Sequence, residues 1–105
     1  MPDALPDLIE RHLSHLRTQR RLAERTLAMY GDALKRLQTC CEQAPGGALA
    51  LDAVRPHHVR GWIARLHAQG LGPRSLAITL AAWRSLFKWL GREGLAPLNP
   101  ADGIK

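Results

Sequence analysis

The side chains able to do chemistry in this sequence are mostly arginines, and the most informative stretch is Gly70 to Pro100, where basic residues lie along one side of a helix with both ends marked. There Arg74, Arg84, Lys88 and Arg92 fall largely off an apolar stripe formed by Leu76, Leu80, Trp83, Phe87 and Leu90, which recur at steps of three and four. Together with Ser75 and Thr79 they make a polar, mostly positive surface suited to an anionic partner. A guanidinium presents a planar fork of donors that matches phosphate oxygens in pairs, which an ammonium cannot do. The remaining candidates lack company. Tyr30 has the hydroxyl of a nucleophile and Asp32 or Glu24 the carboxylate of a base, but Tyr30 falls in an apolar stripe and no acid, base and anion stabiliser converge on it. His12 and His15 stand three apart and His57 and His58 are adjacent, without the Cys or carboxylate that would complete a metal set. Cys40 and Cys41 are neighbours that point in different directions on a helix, poorly placed for a disulfide and read as two structural thiols. No Gly-rich phosphate loop and no GxSxG elbow is present, so neither cofactor nor metal is expected and the chain is expected not to be an enzyme by itself.

Charge narrows the partner. Lys and Arg number 15 against 9 for Asp and Glu, a net charge of +6, which favours a nucleic acid or an anionic membrane surface. No apolar run approaches a membrane span and the N-terminus lacks a signal-peptide pattern, so a cytoplasmic protein with no membrane partner is expected. With 105 residues the chain can close one modest core without disulfide or metal staples.

The elements that must position those arginines are helical. Leu5, Leu8, Ile9, His12, Leu13 and Leu16 predict a first amphipathic helix ending near Arg17 to Arg21. Leu27, Tyr30, Leu34, Leu37 and Cys41 predict a second from about Ala23 to Gln43, broken by Pro45-Gly46-Gly47. A third starts at Pro56, turns Val59, Trp62, Ile63 and Leu66 inward and stops at Gly70, with Leu71 placed to close a glycine C-cap. The fourth begins at Pro73 and ends at Gly94, ahead of Pro97 and Pro100. Nothing alternates with a period of two. The expected fold is all-α: a compact bundle of four helices, with a short fifth turn begun by Asn99-Pro100. Trp62 and Trp83 fit the core stripes, whereas Trp89 lies to the side as the candidate for base stacking, and the second and fourth helices are expected to pack together through Leu27, Leu34, Trp83 and Phe87.

At this point the sequence resembles a family. Leu22-Ala23-Glu24-Arg25-Thr26-Leu27, with Tyr30 and Leu34, is similar to the L-S-x-x-T-x-x-x-Y-x-x-x-L opening of the N-terminal, SAM-like core-binding domain of Xer-type tyrosine recombinases. Gly70 to Leu76, then Leu80 to Phe87, Glu93-Gly94 and Asn99-Pro100-Ala101 resemble that family's later segments in order and spacing. The nearest subgroup acts with a partner recombinase at chromosome dimer resolution sites. The resemblance implies a C-shaped clamp on DNA, with this helical domain on one face of the duplex. A separate catalytic domain would supply the tyrosine that cleaves and rejoins strands through a phosphotyrosyl intermediate. It also implies a second recombinase subunit in a DNA-bound tetramer. The domain is then expected over 1–98, with 99–105 the start of a linker to a catalytic domain outside this chain.

The expected contact to double-stranded DNA comes from the second and fourth helices. Their N-terminal ends, carrying Arg25, Thr26, Arg74 and Ser75, offer backbone N–H groups, hydroxyls and guanidinium forks to phosphates. Arg84 adds charge, and Ile78 and Thr79, one turn further in, are the candidates for base contact. The sequence departs from the family pattern at Ala23 and Gly72, where a serine often caps the helix, at Ile78 and Thr79, where basic residues are common, and at Ala81, which replaces a serine. The alternative is a helical protein-interaction module whose arginines merely solvate its surface.

Overall fold

The computed structural model describes residues 5–104. Its helices are α1 (Leu5–Thr18), α2 (Glu24–Glu42), α3 (Pro56–Ala68) and α4 (Pro73–Arg92), with a single 3-10 turn at Leu51–Ala53, and there is no strand among the described residues. The all-α, four-helix expectation holds. Residues 99–103 form hydrogen-bonded turns rather than a fifth helix, through Asp102 N–H to the Asn99 carbonyl at 3.2 Å.

The helix ends follow from local chemistry. Pro56 and Pro73 occupy first-turn positions, where a missing N–H leaves no bond unmade. At the other end of α3, Gly70 takes φ 98°, Leu71 N–H reaches the Leu66 carbonyl at 3.0 Å and Gly70 N–H reaches that of His67 at 3.0 Å. This is the paired closure of a Schellman cap, and Gly94 and Leu95 repeat it on α4 with Gly91 and Leu90. Ala23 and Gly72 provide no side-chain cap. The start of α2 is instead held by Leu22 N–H on the Leu16 carbonyl at 3.2 Å and by Arg17 against the Glu24 carboxylate at 3.1 Å.

The helix α4 is central. Its buried residues include Leu80, Ala82, Trp83, Leu86, Phe87 and Leu90, and α1, α2 and α3 all pack on it. The α2–α4 contact is the most extensive, as the stripes of Leu27, Leu34, Trp83 and Phe87 predict. It closes on Trp83, whose indole N–H donates to the Ala33 carbonyl at 2.8 Å while both residues are fully buried. Trp62 of α3 meets that ring edge-on, with centroids 6.2 Å apart. The last described segment also docks on α4, burying Pro100, Ala101 and Ile104. The packed body of the described residues therefore includes Ile104.

Candidate nucleic-acid interface

The expected contact residues fall into three environments. Arg74 is exposed at the start of α4, with Ser75 and Ile78 half-buried beside it. Facing them from α2 is Arg36, whose Nη1 donates to Thr79 Oγ1 at 3.3 Å, while the Thr79 hydroxyl donates to the Ser75 carbonyl at 2.7 Å. Arg36 thus sits across the α2–α4 seam beside the first turns of α4. Arg36 escaped the sequence reading because it is one of several polar residues flanking Leu37, and only the helix crossing shows which of them reaches α4. Lys35, exposed next to it, and Arg65 of α3 join the same region.

Thr79 corrects the expectation placed on it. It is fully buried, and both roles of its hydroxyl are filled within the protein, so it offers nothing to a base edge. Its side chain positions Arg36. Arg84 is the second correction. Its Nε donates to the Ala101 carbonyl at 3.1 Å and its Nη2 to the Ile104 carbonyl, while the Arg84 carbonyl accepts from the Asn99 side-chain amide at 3.2 Å. That guanidinium clasps the C-terminal turns to α4 and is committed inside the protein.

Arg25 and Thr26 lie elsewhere. The bonds Trp83 to Ala33 and Arg36 to Thr79 show that moving toward the C-terminus of α2 means moving toward the N-terminus of α4. The two helices cross in antiparallel sense, and their N-termini do not converge. Exposed Arg25 and half-buried Thr26 stand at the α1 end of α2, beside the Arg17–Glu24 pair. From Thr26 to Arg36 the helix rises about 15 Å. Arg25, Met29, Asp32 and Arg36, at steps of four, three and four, lie along one outward stripe between these ends, and Met29 is an exposed large apolar side chain on it.

Other polar groups are internal. Tyr30 is half-buried against the core. Trp89 is buried rather than available for stacking: His12 lies 5.3 Å from it, His15 6.4 Å, and the Arg11 guanidinium 5.5 Å above its ring. His12 is 1% exposed, shares a hydrogen bond of 3.0 Å between its Nε2 and Ser85 Oγ, and has no partner at Nδ1. Burial, then the charges of His15 and Arg92, lower its pKa from 6.5 to about 4. Cys40 and Cys41 are buried free thiols, and burial pushes Cys41 up to about 12. Among the described residues no three His, Cys, Asp or Glu side chains gather as a metal site, and no helix is long and apolar enough to cross a membrane.

Comparison with known proteins identifies relatives of the chain. Over 95 residues the chain is 39% identical to tyrosine recombinase XerC 1 of Ralstonia nicotianae, covering 90% of this chain and 29% of that protein. It is 38% identical over 96 residues to tyrosine recombinase XerC of Pseudomonas putida and 42% identical over 97 residues to that of Pseudomonas fluorescens, in each case covering 91% of this chain and 31% of the relative. The chain therefore spans about three tenths of the length of these curated relatives. No solved structure matches it. Residues 9–94 match the phage integrase N-terminal SAM-like domain, a span that takes in α2, α3, α4 and most of α1, and the chain belongs to that family.

Proposed function

We propose that this chain binds duplex DNA as the N-terminal half of the clamp of a site-specific tyrosine recombinase, of the kind that acts at chromosome dimer resolution sites. Strand cleavage and rejoining then belong to a catalytic domain outside these 105 residues, and a second recombinase subunit shares the DNA-bound tetramer. The observation that carries this reading is the placement of cations along α2. Arg25 with Thr26 forms one patch, and Arg36 with Arg74 and Ser75 forms another, separated along α2 by about 15 Å. That separation is close to the roughly 12 Å width of the major groove, so the two patches can hold phosphates on its opposite banks. Such contacts fix the domain on the duplex more than they read it, which predicts weak binding with little sequence preference. Thr79 is not part of the contact, and Arg84 supports it only by holding the tail. Ile78 remains the candidate on α4 for apolar contact with a thymine methyl.

The test is a fluorescence-anisotropy titration of the chain with a duplex across a salt series. Binding should weaken linearly in log salt, and Arg36→Ala or Arg74→Ala should each lower the slope by about 0.9 for every phosphate the variant no longer neutralises. Arg60→Ala, on the exposed side of α3, should leave the slope unchanged. Affinity indifferent to salt would overturn the DNA reading in favour of a protein-interaction module.

A further inference from the structure

We propose that the groove between α2 and α3 is a binding site for a small amphipathic organic anion, one with a flat apolar body and a sulfonate, carboxylate or phosphate group. The groove exists because α2 and α3 both rest on α4 and barely touch each other, which leaves a cleft of about 400 Å3 between them. That volume lies within the range of small-molecule sites, roughly 300–1,000 Å3. Its floor is apolar, made by buried Trp62 and Cys40 with half-buried Leu66. Its rim is cationic, with Lys35 and Arg36 on α2 and Arg65 on α3.

Among the described residues no carboxylate lies within ion-pair distance of any of those three cations, although Asp32 lines the groove one turn before Arg36. Arg36 is held in place by Thr79, and Arg65 is close enough to Cys40 to favour its thiolate against the dominant effect of burial. Two helices thus aim positive charge over a concave apolar floor. A phosphodiester backbone has no apolar body to cover Trp62 and Leu66, whereas an aromatic anion satisfies floor and rim together. Uncharged apolar molecules meet the floor alone.

The probe is 1-naphthalenesulfonate, titrated into the full chain without DNA and followed by amide chemical shifts in two-dimensional NMR. The outcome therefore stands apart from the duplex-binding reading. Shifts should be confined to residues 32–43 and 62–69. Arg65→Ala and Lys35→Ala should each weaken binding about fivefold, as loss of one solvent-exposed ion pair predicts, and Arg60→Ala, which points to a different face, should not. Neutral 1-naphthalenemethanol should bind at least about tenfold more weakly, as expected when the ionic part of recognition is removed. Equal binding of the neutral compound, unchanged affinity in both rim variants, or shifts centred on α1 would each overturn the proposal.

Discussion

The two halves of α4 carry similar residues to different ends. In the first half, Arg74 is open to solvent and Ser75 and Ile78 are half-covered, with Arg36 bridging from α2. In the second half, α1 packs against the helix with Leu8, Ile9 and His12, and the C-terminal turns also dock on it, so Trp89 is buried and Arg84 is consumed by backbone carbonyls. An arginine on the flank of an amphipathic helix is therefore a surface group or a structural clasp according to what packs beside it. The contrast predicts that substitutions in the second half act on stability, and those in the first half on ligand binding.

The largest effect is expected where the halves meet. Trp83→Ala removes a fully buried indole and leaves the Ala33 carbonyl without the donor that now occupies it. A loss of about 3–5 kcal/mol should follow, read from urea denaturation, which approaches the total stability of a small domain. A loss below about 1 kcal/mol would mean that this crossing does not organise the core.

Next comes the α1 side of the second half, where stability should depend on pH. His12 is neutral in the folded chain because burial, His15 and Arg92 lower its pKa from 6.5 to about 4. Between those values the unfolded chain binds more protons than the folded one, so the stability is complete above about pH 6.5 and is lost as pH falls toward 4. The full loss is on the order of 3 kcal/mol. Denaturation midpoints measured across this window should fall in the wild type and flatten in His12→Gln, which keeps a polar group for Ser85. Parallel profiles for the two proteins would locate the acid sensitivity elsewhere.

On the tail side, Arg84→Ala removes the donors to Ala101 and Ile104 and should cost about 1–3 kcal/mol. Its effect on DNA should be confined to this loss of stability, with the salt slope of binding unchanged at temperatures where the variant stays folded. A slope reduced as much as by Arg74→Ala would return Arg84 to the contact surface.

The sequence showed the helices and their ends because each depends on neighbours in the chain: the stripes on period, the starts on Pro56 and Pro73, the stops on Gly70 and Gly94. It also showed the α2–α4 partnership through Leu34, Trp83 and Phe87. It did not show Trp89, Thr79 or Arg84 correctly, for one physical reason. A helix with a single neighbour buries one stripe, whereas α4 packs on three helices and a tail, so its covered surface is wider than its periodicity suggests. Docking of the tail rests on Asn99, Pro100, Ala101 and Ile104, too few residues to have a period. The antiparallel crossing is equally invisible in the sequence, and it separates Arg25 and Thr26 from Arg74 and Ser75.

The smallest effect, and the sharpest test of the contrast, belongs to Thr79. It lies at the boundary of the two halves, buried like the second but tied to the cation of the first. Thr79→Val keeps the shape and removes the hydroxyl that accepts from Arg36 and donates to the Ser75 carbonyl. That carbonyl is already in a helical turn and Arg36 is only partly buried, so water can replace much of what is removed and stability should fall by about 1 kcal/mol or less. Duplex affinity should drop less than in Arg36→Ala, because the charge stays and only its position loosens, while the salt slope stays near that of the wild type. If Thr79→Val instead removes as much of the salt slope as Arg36→Ala does, the fixed position of the guanidinium, rather than its charge alone, makes the phosphate contact. If it changes neither affinity nor stability, the Arg36–Thr79 bond organises nothing, and the second patch rests on Arg74 and Ser75.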